Sequence, residues 1–357
     1  MIHIIIGTRA QLIKMAPIMV ELQKRKIDYN FIFLAEHKET INSMIKMFGI
    51  KKPDVILGNI NKDITNSFTM TFWSMRVIIK GFIKRNKIFK GDKKGIVLVH
   101  GDAPPAFLGA LIANFQGLKV GHIESGLRSF NLFSPFPEEI TRILTFNLTD
   151  YYFCPGDWAI QNLKNYNGHK INTKENTLID SLRLALDNLE NIKIDIPKEK
   201  YCVATIHRFE NISKKEKLKE IIRIIDDISK KIKVLFILHP PTRKKLDEYG
   251  FTEHLKNNKN IELRPRYDYF EFIKLIGKSE FIISDGGSNQ EECYYLGKPC
   301  LLLRNETERK EGIGKNVILS KFNKKIIKDF ADNYKKYKGE IVLNKEFPSK
   351  EIILRLR

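Results

Sequence analysis

The sequence is poor in several things, and each shortage narrows what it can be. It has four cysteines in 357 residues, Cys154, Cys202, Cys293 and Cys300, with no CxxC spacing and no histidine cluster beside them. That argues against a structural zinc and a disulfide framework, and it fits a cytoplasmic protein. No apolar run approaches the length of about 18 residues that a transmembrane helix needs. The opening MIHIIIGTRA lacks a basic n-region and a cleavage site, so it reads as a strand and not as a signal peptide. There is no GxxxxGK loop, no GxGxxG, no nucleophile elbow and no HExxH, which weighs against a P-loop, a nicotinamide dinucleotide, a serine hydrolase and a zinc protease.

Negative charge is also short, with 42 acidic against 62 basic residues and a net charge of +20. Such an excess suits an anionic ligand, an acidic membrane surface or nucleic acid. Here it is mostly lysine and spread along the chain. No RNP or zinc-finger pattern and no interleaving of aromatic with basic residues supports nucleic-acid binding. Glycine and proline number only 21 and 13, and hydrophobic residues make up 43%, as in a folded globular chain. The length suggests two domains.

Short apolar runs alternate with amphipathic stretches. IHIIIG, YNFIFLA, GIVLVHGD, KVGHIE and DYYFCP read as strands, with helices predicted over 11–26, 38–48, 67–88, 104–116 and 137–148. The alternation restarts at KYCVATIHR and continues through VLFILHP, NIELRP, EFIISDGG and PCLLLR, with helices over 214–231, 243–256, 268–277 and 289–296. Strand–helix alternation argues for parallel sheets with right-handed crossovers. The predicted architecture is therefore α/β, with two Rossmann-like, doubly wound domains facing a cleft. Residues 1–168 are expected to form the first domain and 169–345 the second, with 346–357 packing back on the first.

Ligands in such sheets bind beyond the carboxyl ends of the strands. Gly7-Thr8-Arg9, Gly101-Asp102, Glu124, His207-Arg208, His239 and Asp285-Gly286-Gly287-Ser288 all fall at strand ends. For Gly286, Gly287 and Ser288 two readings fit: a phosphate held on a helix N-terminus, or simply a tight strand-to-helix turn. Glu291 or Glu292, one turn on, can accept ribose hydroxyls or can serve the helix dipole. Arg9 and Lys14 suit a diphosphate or a solvated helix face. Asp102 suits an N-cap, and Glu138 with Glu139 the first turn after Pro137. Glu124 is different, because a carboxylate at the buried end of a parallel strand needs a partner, with Arg128 and Arg142 as candidates. His207, set against a carboxylate cluster, is a candidate acid, base or phosphate donor.

GTRAQLIKMAP, VHGDAPPA, VGHIESGLRS, SPFPEEITR, HRFEN, SDGGSNQEE, LGKP and ETERKEG follow one another in the order and spacing of the UDP-N-acetylglucosamine 2-epimerase family. The resemblance covers about residues 1–320, and HIESGLR, SPFPEE and ETER are its most specific parts. It implies a GT-B-like fold, a dimer, and no metal or nicotinamide cofactor. It implies inversion at C2 of the sugar of UDP-GlcNAc to give UDP-ManNAc, by anti elimination of UDP to a 2-acetamidoglucal and re-addition. By resemblance Asp102, Glu124, Glu138 and His207 fall on catalytic positions. Arg9, Lys14, Arg142, Gly286, Gly287, Ser288, Glu292 and Arg309 fall on UDP-contacting positions, with Glu292 at the ribose and Phe272 near the uracil.

The departures from the family pattern bear on substrate. GTRPE is here GTRAQ, and HGDTTT is HGDAPP, which removes hydroxyls beside Asp102. DSGG is DGGS, which removes one turn serine and supplies another two residues later. AQHREM is AEHKET, and Glu36 in place of glutamine argues against a second, regulatory UDP-GlcNAc. The start differs from the GTRADYG of hydrolysing relatives, which release ManNAc and UDP. The alternatives are that hydrolysing outcome, a modified UDP-sugar such as a diacetamido uronic acid or a 6-deoxy sugar, and, more remotely, a GT-B glycosyltransferase.

Overall fold

A computed structural model describes residues 1–34, 39–58, 67–132, 137–343 and 346–356. The chain divides into two compact units, Met1–Leu184 with Lys345–Arg357, and Ala185–Asn344.

The first unit is built on strands β1 (Ile2–Ile6), β2 (Tyr29–Phe33), β3 (Val55–Ile56), β4 (Ile96–His100), β5 (Lys119–Ile123), β6 (Tyr151–Cys154) and β7 (His169–Asn172). They pair in the order β3-β2-β1-β4-β5-β6-β7, parallel throughout. Its helices are α1 (Arg9–Lys24), α2 (Glu39–Phe48), α3 (Ser67–Ile88), α4 (Pro104–Gln116), α5 (Glu138–Phe146), α6 (Asp157–Gln161) and α7 (Leu178–Leu186), which runs to the unit boundary. The expected boundary after residue 168 falls too early. His169–Asn172 adds a strand beside β6, a pairing that no long apolar run announces.

The second unit carries β8 (Tyr201–Thr205), β9 (Lys233–Leu238), β10 (Ile261–Pro265), β11 (Ile282–Ser284), β12 (Cys300–Leu302) and β13 (Val317–Leu319). The order is β10-β9-β8-β11-β12-β13, again parallel. Its helices are α8 (Phe209–Ile212), α9 (Lys215–Ser229), α10 (Pro240–Glu248), α11 (Thr252–Asn257), α12 (Tyr269–Lys278), α13 (Gly287–Tyr295) and α14 (Lys324–Asn333). The last helix, α15 (Pro348–Arg355), belongs to the first unit. There Asp180 accepts the Ser349 N–H at 2.9 Å.

Strands β2 and β8 are buried from end to end and β9 in all but its first residue, as parallel strands covered on both faces must be. Chain order reverses between β1 and β4 in the first sheet and between β8 and β11 in the second. Neighbouring crossovers leave opposite faces at such a point and open a crevice at the strands' carboxyl ends. Among the described residues no helix is long and apolar enough to cross a membrane, and no group of three His, Cys, Asp or Glu side chains could hold a metal ion.

Candidate active site

In the first unit the carboxyl ends of β1, β4 and β5 bring the predicted residues together. Thr8 caps α1, accepting the Gln11 N–H at 3.1 Å. Gln11 Oε1 returns the favour by accepting the Gly7 and Thr8 N–H groups at 2.9 and 3.2 Å. This reciprocal capping box satisfies donors that a helix start otherwise leaves open. The Gln11 amide also donates to the His100 carbonyl at 2.8 Å, tying the end of β1 to the end of β4. Arg9 and Lys14 are thus carried on a fixed helix start, and both are buried.

The chain leaves β5 through Glu124 in a left-handed conformation, φ 62°. A non-glycine residue there costs on the order of 1–2 kcal/mol, and such strain gathers at functional sites. It sets the Glu124 carboxylate in a buried nest. Lys14 Nζ and Asn176 Nδ2 both donate to Glu124 Oε2, and His100 Nε2 lies 3.9 Å from the same oxygen. Two of its partners were not among the candidates that the sequence offered. Lys14 comes from α1 and Asn176 from the loop before α7, far away in sequence. The other oxygen, Oε1, faces Gly101, whose Cα would carry a side chain only 3.6 Å away. Glu124 and Asp102 are therefore neighbours across adjacent strand ends.

Asp102 is half-buried and pairs with Arg142 Nη2, while Arg142 Nη1 reaches Glu139 at 3.2 Å. No side chain caps α4, so Asp102 is not the N-cap that its sequence position allowed. Ala103 holds that place, followed by Pro104 and Pro105. Glu138 is half-buried at the first position of α5. The expectation that Glu139 would serve only the helix start is corrected. Glu139 is fully buried and accepts from Arg128 Nε, Arg142, and the Ser129 and Phe130 N–H groups at 3.0 and 3.3 Å. Burial alone would raise its pKa. Arg128, the Ser129 N–H and Arg142 outweigh that, and the net shift is downward. It locks the GLRS loop against α5. Residues 35–38 of AEHKET, with Glu36, and Ser134-Pro135-Phe136 of SPFPEE lie outside the described residues.

Two histidines beneath this cluster are held neutral. His122 is fully buried, with Nε2 on the Gly101 carbonyl at 2.8 Å and Nδ1 on Ser125 Oγ at 3.1 Å. Burial lowers it to about 4, and lowers His100 to about 3 against the opposing charge of Glu124.

In the second unit His207 follows β8 and Asp285 follows β11, on either side of the reversal in strand order. Asp285 is fully buried. It accepts the His207 N–H at 3.1 Å, the Arg208 N–H at 3.0 Å and Asn211 Nδ2 at 2.9 Å, and its Oδ1 lies 3.3 Å from His207 Nδ1. One carboxylate thus shapes the whole HRFEN turn. The His207 side chain keeps 35% of its surface, yet its ring stacks on His239 at 4.5 Å and is walled by the unit. Desolvation lowers its pKa, opposed by Asp285 and assisted by Arg208 and Arg266.

Gly286 is the N-cap of α13, and Gly287 and Ser288 are its first two residues. A side chain at Gly287 would start 2.6 Å from Arg309 Nε, so that glycine lets Arg309 lie against the turn. Arg309 Nη1 in turn pairs with the buried Glu291. Glu292 Oε2 accepts from Asn289 Nδ2 at 2.9 Å. Tyr269 sits buried beside both glutamates; burial first, then the charges of Glu292 and Glu291, push its phenol well above the ordinary range. Phe272 is half-buried on α12, beyond a capping box formed by Asp268 and Glu271.

Each unit therefore assembles its own predicted residues, carboxylates with basic partners in the first and a histidine turn with a glycine turn in the second. Sequence reasoning passed over Gln11, Asn176 and Asn211. Gln11 could have been found from the Thr8-x-x-Gln11 spacing of a capping box, whereas Asn176 and Asn211 matter through what they touch and no local pattern marks them.

The chain was compared with known proteins. A family model described as UDP-N-acetylglucosamine 2-epimerase matches residues 20–345. A UDP-N-acetylglucosamine 2-epimerase of Methanococcus maripaludis is 36% identical over 330 residues, covering 88% of this chain and 86% of that protein. The crystal structure of the Methanocaldococcus jannaschii UDP-GlcNAc 2-epimerase, solved with UDP-GlcNAc and UDP, superposes with a TM-score of 0.87 at 29% identity, covering 99% of each chain. That of the Neisseria meningitidis enzyme bound to UDP-GlcNAc gives 0.85 at 32% identity, covering 99% of this chain and 98% of that one.

Proposed function

Since this chain belongs to the UDP-N-acetylglucosamine 2-epimerase family, we propose that it is a non-hydrolysing epimerase that interconverts UDP-GlcNAc and UDP-ManNAc. The observation that carries this reading is the pair of neighbouring carboxylates at the ends of β4 and β5, each with its own cation: Asp102 with Arg142 and Glu124 with Lys14.

The chemistry asks for that kind of set. The C2 proton of the sugar has no adjacent carbonyl to acidify it. Departure of the diphosphate from C1 must therefore assist its removal. A carboxylate takes the C2 proton, the C–H electrons form the C1–C2 double bond, and the C1–O electrons leave with UDP. For epimerisation, a proton then returns to C2 on the opposite face as UDP re-adds at C1. Two faces call for two acid–base groups, and Asp102, Glu124 and Glu138 are the candidates.

Arg9, Lys14 and Arg142 in the first unit and Arg309 and His207 in the second are assigned to the departing diphosphate. That Arg142 and Arg309 already hold carboxylates does not disqualify them, because a guanidinium carries five N–H donors. The Gly286–Ser288 turn supplies N–H groups at the start of α13. By contrast, α4 and α10 each begin with two prolines, and these helix starts lack the corresponding donors. Glu292 is assigned to the ribose and Phe272 to the uracil.

A second copy of the chain is the proposed partner. On α3, Phe72, Met75, Ile79, Phe82 and Ile83 are between 49% and 71% exposed and recur at three- and four-residue spacing. This is an apolar stripe on a helix whose other face already meets the core through Trp73 and Val77.

The test is incubation with UDP-GlcNAc and separation of the products. UDP-ManNAc is the expected product. Free ManNAc with an equal amount of UDP would place the protein with the hydrolysing type instead.

A further inference from the structure

The turn Ser284-Asp285-Gly286-Gly287-Ser288 has a glycine where the family's pattern has its first serine, and the sequence suggested that Ser288 makes up for it. The structure shows a different compensation. A Cβ on Gly286 would sit 2.6 Å from Asn289 Oδ1, 3.0 Å from His207 Cε1 and 3.4 Å from Asn289 Cγ. The Asn289 side chain has folded back from α13 into the place that a side chain at 286 would take.

It is held there at both ends. Asn289 Oδ1 accepts from Ser284 Oγ at 2.9 Å, and Ser284 Oγ itself accepts the Gly286 N–H at 3.0 Å. Asn289 Nδ2 donates to Glu292 Oε2 at 2.9 Å. An ionised Glu292 carboxylate only accepts, so the N–H₂ end of the amide must face it, and the amide oxygen is left to accept the Ser284 hydroxyl. An aspartate or an apolar residue at 289 would supply no such donor.

We propose that Asn289 is a positioning residue that orients Glu292 for the nucleotide's ribose, and that Gly286 exists to admit it. This rests on the assignment of Glu292 to the ribose made above. The arrangement couples two positions: filling the space at 286 and deleting the amide at 289 remove the same contact.

The experiment uses the full-length protein and measures UDP and 2′-deoxy-UDP binding by calorimetry. The wild type should prefer UDP, because Glu292 accepts both ribose hydroxyls. Asn289→Ala should weaken UDP by about tenfold and 2′-deoxy-UDP by clearly less, because the deoxy ribose has only its 3′-hydroxyl contact with Glu292 to lose. Gly286→Ala should narrow the same preference, and Gly286→Ala with Asn289→Ala should narrow it no further than either alone. A merely structural role would weaken both nucleotides together. An unchanged preference in Asn289→Ala, or additive losses in the double variant, would overturn this inference while UDP binding by the wild type leaves the nucleotide assignment standing. A wild type that does not bind UDP would overturn both.

Discussion

Glu124 shows at the scale of one residue how this chain builds chemistry. Its left-handed backbone turns a carboxylate at a buried strand end onto Lys14, Asn176 and the flank of Gly101. Replacing Asp102 by Asn keeps its shape and removes its charge. Asp102→Asn should abolish epimerisation while changing UDP affinity by less than about tenfold, because chemistry and uniform binding are separable. Parallel turnover and binding assays check this, and loss of both together would make Asp102 structural. His122 gives a pH prediction. Its folded pKa of about 4 lies below its ordinary 6.5, so the folded state binds fewer protons than the unfolded chain between those values. Its contribution to stability is complete above pH 6.5 and is lost as pH falls toward 4, by as much as about 3 kcal/mol. Melting temperatures across this range should fall less steeply for His122→Gln than for the wild type. While Arg142, Glu292 and Arg309 were assigned from the family resemblance, Asp102, Glu124 and His207 were legible in the sequence because they stand at strand ends. Their partners were not, because Asn176 and Glu124 are joined only by the fold.

At the scale of elements, one contact ties the β1–α1 turn to α4. A Cβ on Gly7 would lie 2.5 Å from Pro105 Cγ. Gly7→Ala should destabilise the protein by about 1–3 kcal/mol through overpacking, and Pro105→Ala in the same chain should recover little of that, because Pro105 Cβ, which alanine keeps, would itself lie 2.7 Å from the new methyl. Denaturant titration of the single and double variants checks it. The stripe on α3 gives the second prediction of this kind. Ile79→Glu together with Phe82→Glu should convert a dimer to a monomer in light scattering without lowering helix content. Long elements were readable, since α3 spans the predicted 67–88 and the apolar strands were placed within three residues at either end. Short ones were not. The strands β3 and β13 have two and three residues, too few to show a period, and the second exists by pairing with β12. The single helix expected over 243–256 is two helices, because Gly250 takes a left-handed turn, φ 77°, between α10 and α11.

At the scale of the whole molecule, the two sheets divide the proposed labour. The first carries the acid–base carboxylates, and the second carries the histidine and glycine turns assigned to the nucleotide. That division suits a reaction in which the sugar changes and the nucleotide leaves and returns unaltered. The most direct measurement is proton NMR of the protein with UDP-GlcNAc in D₂O. The account predicts growing UDP-ManNAc signals and progressive loss of the C2 proton from both nucleotide sugars, as solvent deuterium enters during elimination and re-addition. UDP-ManNAc that forms while C2 keeps its proton would contradict it.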